Sequence, residues 1–148
     1  MTTPLRLDVR PSGAGGEGEF ELLLDVPSDL HYVGPAVDLV AERCRHGPLP
    51  PRKVQFNLRT ALAEALANAI AYGNRQDPSR LVRVRVEASR DGVRIHVTDD
   101  GVGFDPAAAA PDGYGISGMR RRLRGVNGTL EVESTPGEGT AVNASVPA

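Results

Sequence analysis

The sequence predicts an α+β two-layer sandwich, in which helices cover one face of a mostly antiparallel, mixed sheet. Two observations lead to this fold class. Segments with apolar alternation come in consecutive pairs joined by turn residues, as in hairpins, and segments with helical periodicity stand between these pairs. A chain of 148 residues can also bury one core, so we expect residues 1–148 to form a single domain.

The first strand pair is expected at residues 5–9 and 20–26. Between them, residues 11–18 are almost all Gly, Ser, Ala and Pro, which is typical of a flexible loop. Residues 1–19 are therefore expected to add one strand and this loop to the main body. Asp91-Gly92 is a strong hairpin signal between two later strands. The remaining strands are expected at residues 81–89, 93–98, 129–134 and 140–146.

Helical periodicity predicts three helices. Ser28 has the side chain of a helix N-cap, and the first helix is expected to end near Gly47. Cys44 lies on its apolar stripe and is interpreted as a core residue, with a reactive thiol as the alternative. The second helix is expected from Val54 to Ala71 and the third from Ile116 to Gly125.

Composition excludes several classes of protein. The 17 basic and 19 acidic side chains give a net charge of −2, which does not suit a dedicated nucleic-acid binder. No apolar run approaches the roughly 20 residues of a membrane-spanning helix, and no signal peptide follows Met1. A lone cysteine and three scattered histidines offer neither an internal disulfide nor a zinc site. We expect a cytoplasmic protein.

The first candidate site lies on the second helix. Glu64 and Asn68 are four residues apart, so their side chains share one helix face beside an apolar stripe. An amide oxygen suits Mg²⁺, and a carboxylate one turn away can act as a general base. The alternative is a solvated glutamate and an interhelical hydrogen bond from the asparagine.

Two glycine-containing segments follow. Asp99-Asp100-Gly101-Val102-Gly103 ends a predicted strand, where a carboxylate can accept a hydrogen bond from an amino group; an acidic turn is the alternative. Gly113, Gly115 and Gly118 open the third helix, whose free N–H groups suit phosphate oxygens. A simple helix–turn junction explains these glycines equally well.

Together, the segments resemble the GHKL ATP-binding superfamily. Glu64–Asn68 resembles its N box, Asp99–Gly103 its first glycine box and Gly113–Met119 its second. Thr129–Thr140 resembles its closing hairpin. The resemblance covers the chain from about Phe20 to Pro147 and implies the Bergerat-type ATP-binding fold.

The resemblance implies roles for particular residues. Asn68 would ligate Mg²⁺, Glu64 would activate the attacking group, and Asp99 would bind the adenine amine of ATP. Thr140 would support the adenine pocket. The glycines expected to make room for the base or to cradle phosphates are Gly101, Gly103, Gly113, Gly115 and Gly118.

Within the superfamily, Val26–Asp29 and Asn68–Asn74 resemble the anti-sigma factor serine/threonine kinases. No helical hairpin with a phosphoacceptor histidine precedes the domain, so we expect a stand-alone kinase that phosphorylates an antagonist protein. This resemblance also leaves a sigma factor as a second partner and a homodimer open. The alternatives are a detached histidine kinase catalytic domain that acts in trans and a non-catalytic, ATP-dependent switch that sequesters a partner.

Overall fold

The computed structural model describes residues 5–11, 19–74, 77, 79–99, 101, 116–134, 137 and 139–148. The strands are β1 Arg6–Pro11, β2 Phe20–Pro27, β3 Leu81–Ser89, β4 Gly92–Asp99, β5 Thr129–Ser134 and β6 Thr140–Pro147. The helices are α1 Val33–Cys44, α2 Arg59–Asn68 and α3 Ile116–Arg124. None of the helices in this part of the chain combines the length and the hydrophobicity of a membrane-spanning segment.

The described strands form one sheet in the order β1-β2-β3-β4-β6-β5. Every pairing between them is antiparallel, so the predicted α+β class is confirmed, while no parallel pair is found among the described strands. β2 and β3 pair although the segment that carries α1 and α2 lies between them in the chain. β4 pairs with β6, because β5 lies on the outer side of β6. The Asp91-Gly92 hairpin is found where it was expected.

The core lies between one face of the sheet and the helices. Along β3 and β4, buried and more exposed side chains alternate, which places one set of residues against the helices. In β4 this set consists of Val93, Ile95, Val97 and Asp99, all of which are buried. Three residues of the series are apolar and the last is a carboxylate, which lies where the strand ends.

The second helical segment is continuous over residues 53–73, which is longer than predicted, and it is less regular than a single α-helix. α2 is flanked by two π-helical turns, Lys53–Leu58 and Ala69–Gly73. The backbone N–H of Asn74 donates to the carbonyl of Ala69 at 2.7 Å, a five-residue spacing that closes the second turn. Such turns are rare and frequently lie at functional sites. Asn68 is the residue directly before this turn.

The predicted N-cap is wrong by one residue. A 3₁₀ turn over Leu30–Tyr32 precedes α1, and its cap is Asp29, whose carboxylate accepts from the His31 backbone N–H at 2.9 Å. This backbone hydrogen bond lowers the pKa of Asp29. Ser28 is instead buried and donates to the carbonyl of Arg80 at 2.7 Å. A long-range contact therefore takes the side chain that local capping would have used.

Cys44 is confirmed as a core residue. Its side chain is fully buried on α1, and burial raises the pKa of the thiol to about 12. Because the thiolate is the reactive form, the thiol is inert at neutral pH.

Gly128 joins α3 to β5 at a point of close approach. Its N–H donates to the Leu123 carbonyl at 2.6 Å. A Cβ built at Gly128 would lie 2.5 Å from the carbonyl oxygen of Ser145 and 3.0 Å from that of Leu123. Both neighbours are backbone atoms and cannot rotate away.

We therefore expect Gly128→Ala to lower the free energy of unfolding by about 1–3 kcal/mol, the usual cost of overpacking. Gly34→Ala is the matched control, because a Cβ at this helical position meets nothing within 4 Å. The control should be neutral or stabilising by up to about 1 kcal/mol, since alanine favours helices. Urea unfolding of both variants measures the difference, and equal stabilities would contradict the close approach.

Candidate functional site

Three polar side chains are buried among the described residues, those of Ser28, Asn74 and Asp99. All three belong to the same edge of the sheet. β2 and β4 end at this edge, and β3 and β6 begin there, as the pairs Pro27–Leu81 and Asp99–Thr140 show. Because burying polar groups costs free energy unless they are hydrogen-bonded, their concentration at one edge marks it as the candidate site.

Asp99 is the carboxylate at this edge. Its residue is 7% exposed, and it faces the helix side of the sheet because it continues the alternation of Ile95 and Val97. Oδ1 accepts a hydrogen bond from the backbone N–H of Gly101 at 2.9 Å. Gly101 is itself buried. This turn holds a buried hydrogen-bond acceptor at the boundary of the core, as the binding of an amino group requires.

Thr140 lies directly opposite Asp99 in the pairing of β4 with β6. Opposite residues of an antiparallel pair point to the same face, with Cβ atoms about 4.5–5.5 Å apart. The Thr140 hydroxyl is 2.9 Å from the Ser134 hydroxyl, which also donates to the Gly139 carbonyl at 3.1 Å. Since Ser134 has one proton to donate, Thr140 donates to Ser134. The register thus places Thr140 beside Asp99, while its predicted support of the adenine pocket stays a prediction; Ser134 was not among the predicted site residues.

Glu64 and Asn68 lie on α2, one turn apart, and both are partly buried. Oε2 of Glu64 is inaccessible to solvent. This burial argues against the interpretation of Glu64 as a solvated surface residue. Ala65 and Leu66, between them in sequence, are buried in the core. The two polar side chains therefore border the layer between α2 and the sheet.

The helix residues and the strand residues of the candidate site both border this layer. An apolar crevice between α2 and the sheet is lined by residues that include Ala65, Val97 and Val142. Ala65 is about one helical turn from Asn68, and Val97 is two residues from Asp99 on the same strand face. Asn68 and Asp99 thus border one continuous helix–sheet layer.

The other predicted site residues are glycines. Gly118 lies in the first turn of α3, which begins at Ile116 as predicted. Gly103, Gly113 and Gly115 lie outside the described residues, so their predicted contacts with the base and the phosphates stay predictions.

The donor groups fit a nucleotide and a magnesium ion. A buried carboxylate suits the exocyclic amine of adenine, and the amide oxygen of Asn68 is a hard ligand of the kind that Mg²⁺ prefers. Within the described part of the chain, no group of three or more His, Cys, Asp or Glu side chains could hold a metal ion. A cation at Asn68 would therefore need further ligands, as Mg²⁺ usually obtains from phosphate oxygens and water.

Comparison with known families identifies the kind of domain in which these residues lie. The histidine kinase-like ATPase domain matches residues 26–141. The chain belongs to this family. The matched segment runs from the end of β2 into β6 and contains Glu64, Asn68, Asp99 and Thr140.

Relatives of this histidine kinase-like ATPase domain are parts of much longer proteins. An uncharacterized sensor-like histidine kinase of Chloroflexus aurantiacus is 33% identical over 101 residues, which cover 64% of this chain and 16% of that protein. Oxygen sensor histidine kinase NreB of Staphylococcus carnosus is 35% identical over 88 residues, 57% of this chain and 23% of that protein. Sensor histidine kinase ComP of Bacillus subtilis is 31% identical over 87 residues, 57% of this chain and 11% of that protein.

The fold is also found among solved structures. The histidine kinase domain of the blue-light activated histidine kinase EL346 from Erythrobacter litoralis superimposes with a TM-score of 0.59 at 22% identity. The match covers 82% of this chain and 61% of that one. At this identity the likeness concerns the fold alone.

Asp99→Asn tests whether this carboxylate binds adenine. The amide oxygen can still accept from Gly101, so the turn is expected to persist. ATP affinity should fall about tenfold to a hundredfold, the worth of a charge-assisted hydrogen bond of about 1.5–3 kcal/mol. ITP has a carbonyl in place of the amine, so its affinity should not fall. Calorimetry with both nucleotides measures the change.

Asp25→Asn is the matched control, because Asp25 lies on the outer face of β2 beside Arg83, at 3.8 Å. It should leave both affinities unchanged. Equal losses for ATP and ITP in Asp99→Asn would show that Asp99 supports the fold and does not bind the base.

Proposed function

We propose that this histidine kinase-like ATPase domain binds ATP with Mg²⁺ and transfers the γ-phosphoryl group to a side chain of a protein segment that docks against it. The observation that supports this proposal most is the buried carboxylate of Asp99, opposite Thr140 and beside the layer that Asn68 borders. One oxygen of this carboxylate accepts the Gly101 N–H. A carboxylate can accept several hydrogen bonds, so it can also receive one from an adenine amine at this edge.

Each residue then has a distinct task. Asp99 accepts a hydrogen bond from the adenine amine, and Thr140 keeps the neighbouring strand end in place through Ser134. The amide oxygen of Asn68 is a ligand for Mg²⁺, which, when bound, offsets the charge of the phosphates. Glu64 accepts the proton of the attacking group, because its carboxylate lies one turn from Asn68 on the same helix face.

The relatives support a histidine as the acceptor. Those named above are a sensor-like histidine kinase and two sensor histidine kinases. On this proposal the domain phosphorylates an imidazole nitrogen on a helical segment, either elsewhere in a longer chain or in trans.

The second candidate is the serine/threonine kinase of the anti-sigma factor type, with an antagonist protein as substrate and a sigma factor as the alternating partner. The observation in its favour is the sequence resemblance of Val26–Asp29 and Asn68–Asn74. Two residues of these segments, Ser28 and Asn74, are hydrogen-bonded to each other in the interior. Their presence is therefore accounted for by packing, and this weakens them as indicators of a serine acceptor.

Glu64→Gln separates nucleotide binding from transfer. The amide keeps the shape of the side chain but cannot take up a proton, so ATP affinity should be retained while turnover falls about 10²- to 10⁴-fold. Glu42→Gln, an exposed glutamate of α1 that pairs with Arg45 at 3.2 Å, is the control and should leave turnover unchanged. Single-turnover kinetics with radiolabelled ATP measures the step. Full turnover in Glu64→Gln would rule out the base, and the absence of turnover in the unmodified protein would favour the non-catalytic switch.

The chemistry of the phosphorylated product identifies the acceptor. We expect label from [γ-³²P]ATP, transferred to proteins of the source cell, to be lost in acid and retained in alkali, as a phosphoramidate is. Phosphoserine and phosphothreonine show the opposite stability. Label that survives acid would therefore favour the serine/threonine kinase over the histidine kinase reaction. Asp99→Asn, which weakens ATP binding, should reduce either kind of label and serves as the control.

A further inference from the structure

A buried hydrogen-bonded pair joins three elements at the candidate edge of the sheet. Asn74 and Ser28 are 2% and 1% exposed, although they lie 46 residues apart in the chain. The Asn74 side-chain nitrogen, Nδ2, donates to the Ser28 hydroxyl at 2.9 Å and to the Leu81 carbonyl at 3.3 Å. Ser28 in turn donates to the Arg80 carbonyl at 2.7 Å. We call Ser28 and Asn74 the buried clasp.

The clasp also anchors the end of the second helix through its backbone. The N–H of Asn74 closes the π-helical turn Ala69–Gly73 by donating to the Ala69 carbonyl at 2.7 Å. Its carbonyl accepts from the N–H of Asp77 at 3.0 Å. Asn74 thus ties the turn that directly follows Asn68 to the end of β2 and the start of β3.

The amide nitrogen and the amide oxygen of Asn74 differ in their contacts. Nδ2 donates to Ser28 and Leu81, whereas Oδ1 is buried and accepts no hydrogen bond in the described part of the chain. Both partners of Nδ2 accept its hydrogen bonds. In Asn74→Asp, a carboxylate oxygen would replace Nδ2 and would lie against the oxygens of Ser28 and Leu81 without a proton to donate. Asn74→Asp therefore removes the clasp with almost no change in side-chain volume.

We propose that Asn74 is a positioning residue that holds Asn68 in place for Mg²⁺, a role that rests on the proposed function. A π-helical turn widens the helix locally, so the direction of the residue before it depends on where the turn is anchored. The anchor is the sheet edge that also holds Asp99. The clasp thereby sets the distance between the metal ligand on α2 and the base-binding carboxylate on β4. Groups that orient a metal ligand typically change metal affinity about 10- to 100-fold when removed.

Calorimetry measures the affinity for ATP with Mg²⁺ present and again with EDTA. The ratio of the two affinities is the gain that Mg²⁺ provides. In Asn74→Asp this gain should fall about tenfold, as for the loss of an outer-shell partner, while Mg²⁺-free ATP affinity stays within about twofold. Ser28→Ala should act in the same direction but less, because Asn74 keeps its contact with Leu81. Asn127→Asp, at an exposed position after α3, is the control for the added charge.

The outcomes separate this inference from the proposed function. If the unmodified protein does not bind ATP, the proposed function fails. If it binds ATP but Asn74→Asp loses affinity equally with and without Mg²⁺, or shows an unchanged gain, the positioning role is overturned. Thermal unfolding by circular dichroism identifies variants that fail to fold, and Ser28→Ala then decides alone.

Discussion

The pairing register of β4 with β3 and β6 is the constraint on which the candidate site depends. Side chains of a strand alternate between faces, so a shift by one residue would turn Asp99 outward and bring Thr98 against the helices. The register is held by the apolar series of β4, because Val93, Ile95 and Val97 must face the core. The burial of valine and isoleucine side chains thus decides where a carboxylate is placed.

The same edge of the sheet serves both the fold and the site. The Ser28 hydroxyl and the amide nitrogen of Asn74 are hydrogen-bonded to each other and to two backbone carbonyls, and so stabilise the junction of β2, β3 and the second helix. Asp99, two strands from β2 in the sheet, holds the turn at Gly101. Buried polar groups are costly when they lose a partner, so these contacts favour one arrangement of the edge at which the nucleotide is expected to bind. Pre-organised binding of a base requires such a defined arrangement.

Local sequence signals predicted most of the architecture. Hairpin turns and apolar alternation located the strands, and helical spacing located the three helices, because these signals depend on neighbouring residues. They could not locate contacts between distant residues: Ser28 was expected to cap a helix and instead bonds to Arg80, 52 residues away. The π-helical turns around α2 also depend on tertiary packing, and helical periodicity does not reveal them. For the site, the order of motifs in the chain predicted Glu64, Asn68, Asp99 and Thr140, whereas the contacts of Ser134 and Asn74 were visible only in the structure.

The residues that bind the nucleotide do not determine which side chain is phosphorylated. In the proposed function Asp99 binds the base, Asn68 binds the metal and Thr140 supports the strand end beside Asp99. These tasks are the same whether a histidine or a serine is phosphorylated. Among the described residues, Glu64 is the one proposed to contact the attacking group, and a carboxylate can take a proton from either a hydroxyl or an imidazole. Specificity for the acceptor must therefore come from the surface that positions the partner, since orientation of the attacking atom supplies much of the rate in phosphoryl transfer. The bond that is formed on the partner, and not the affinity for ATP, is the observation that distinguishes the two kinases.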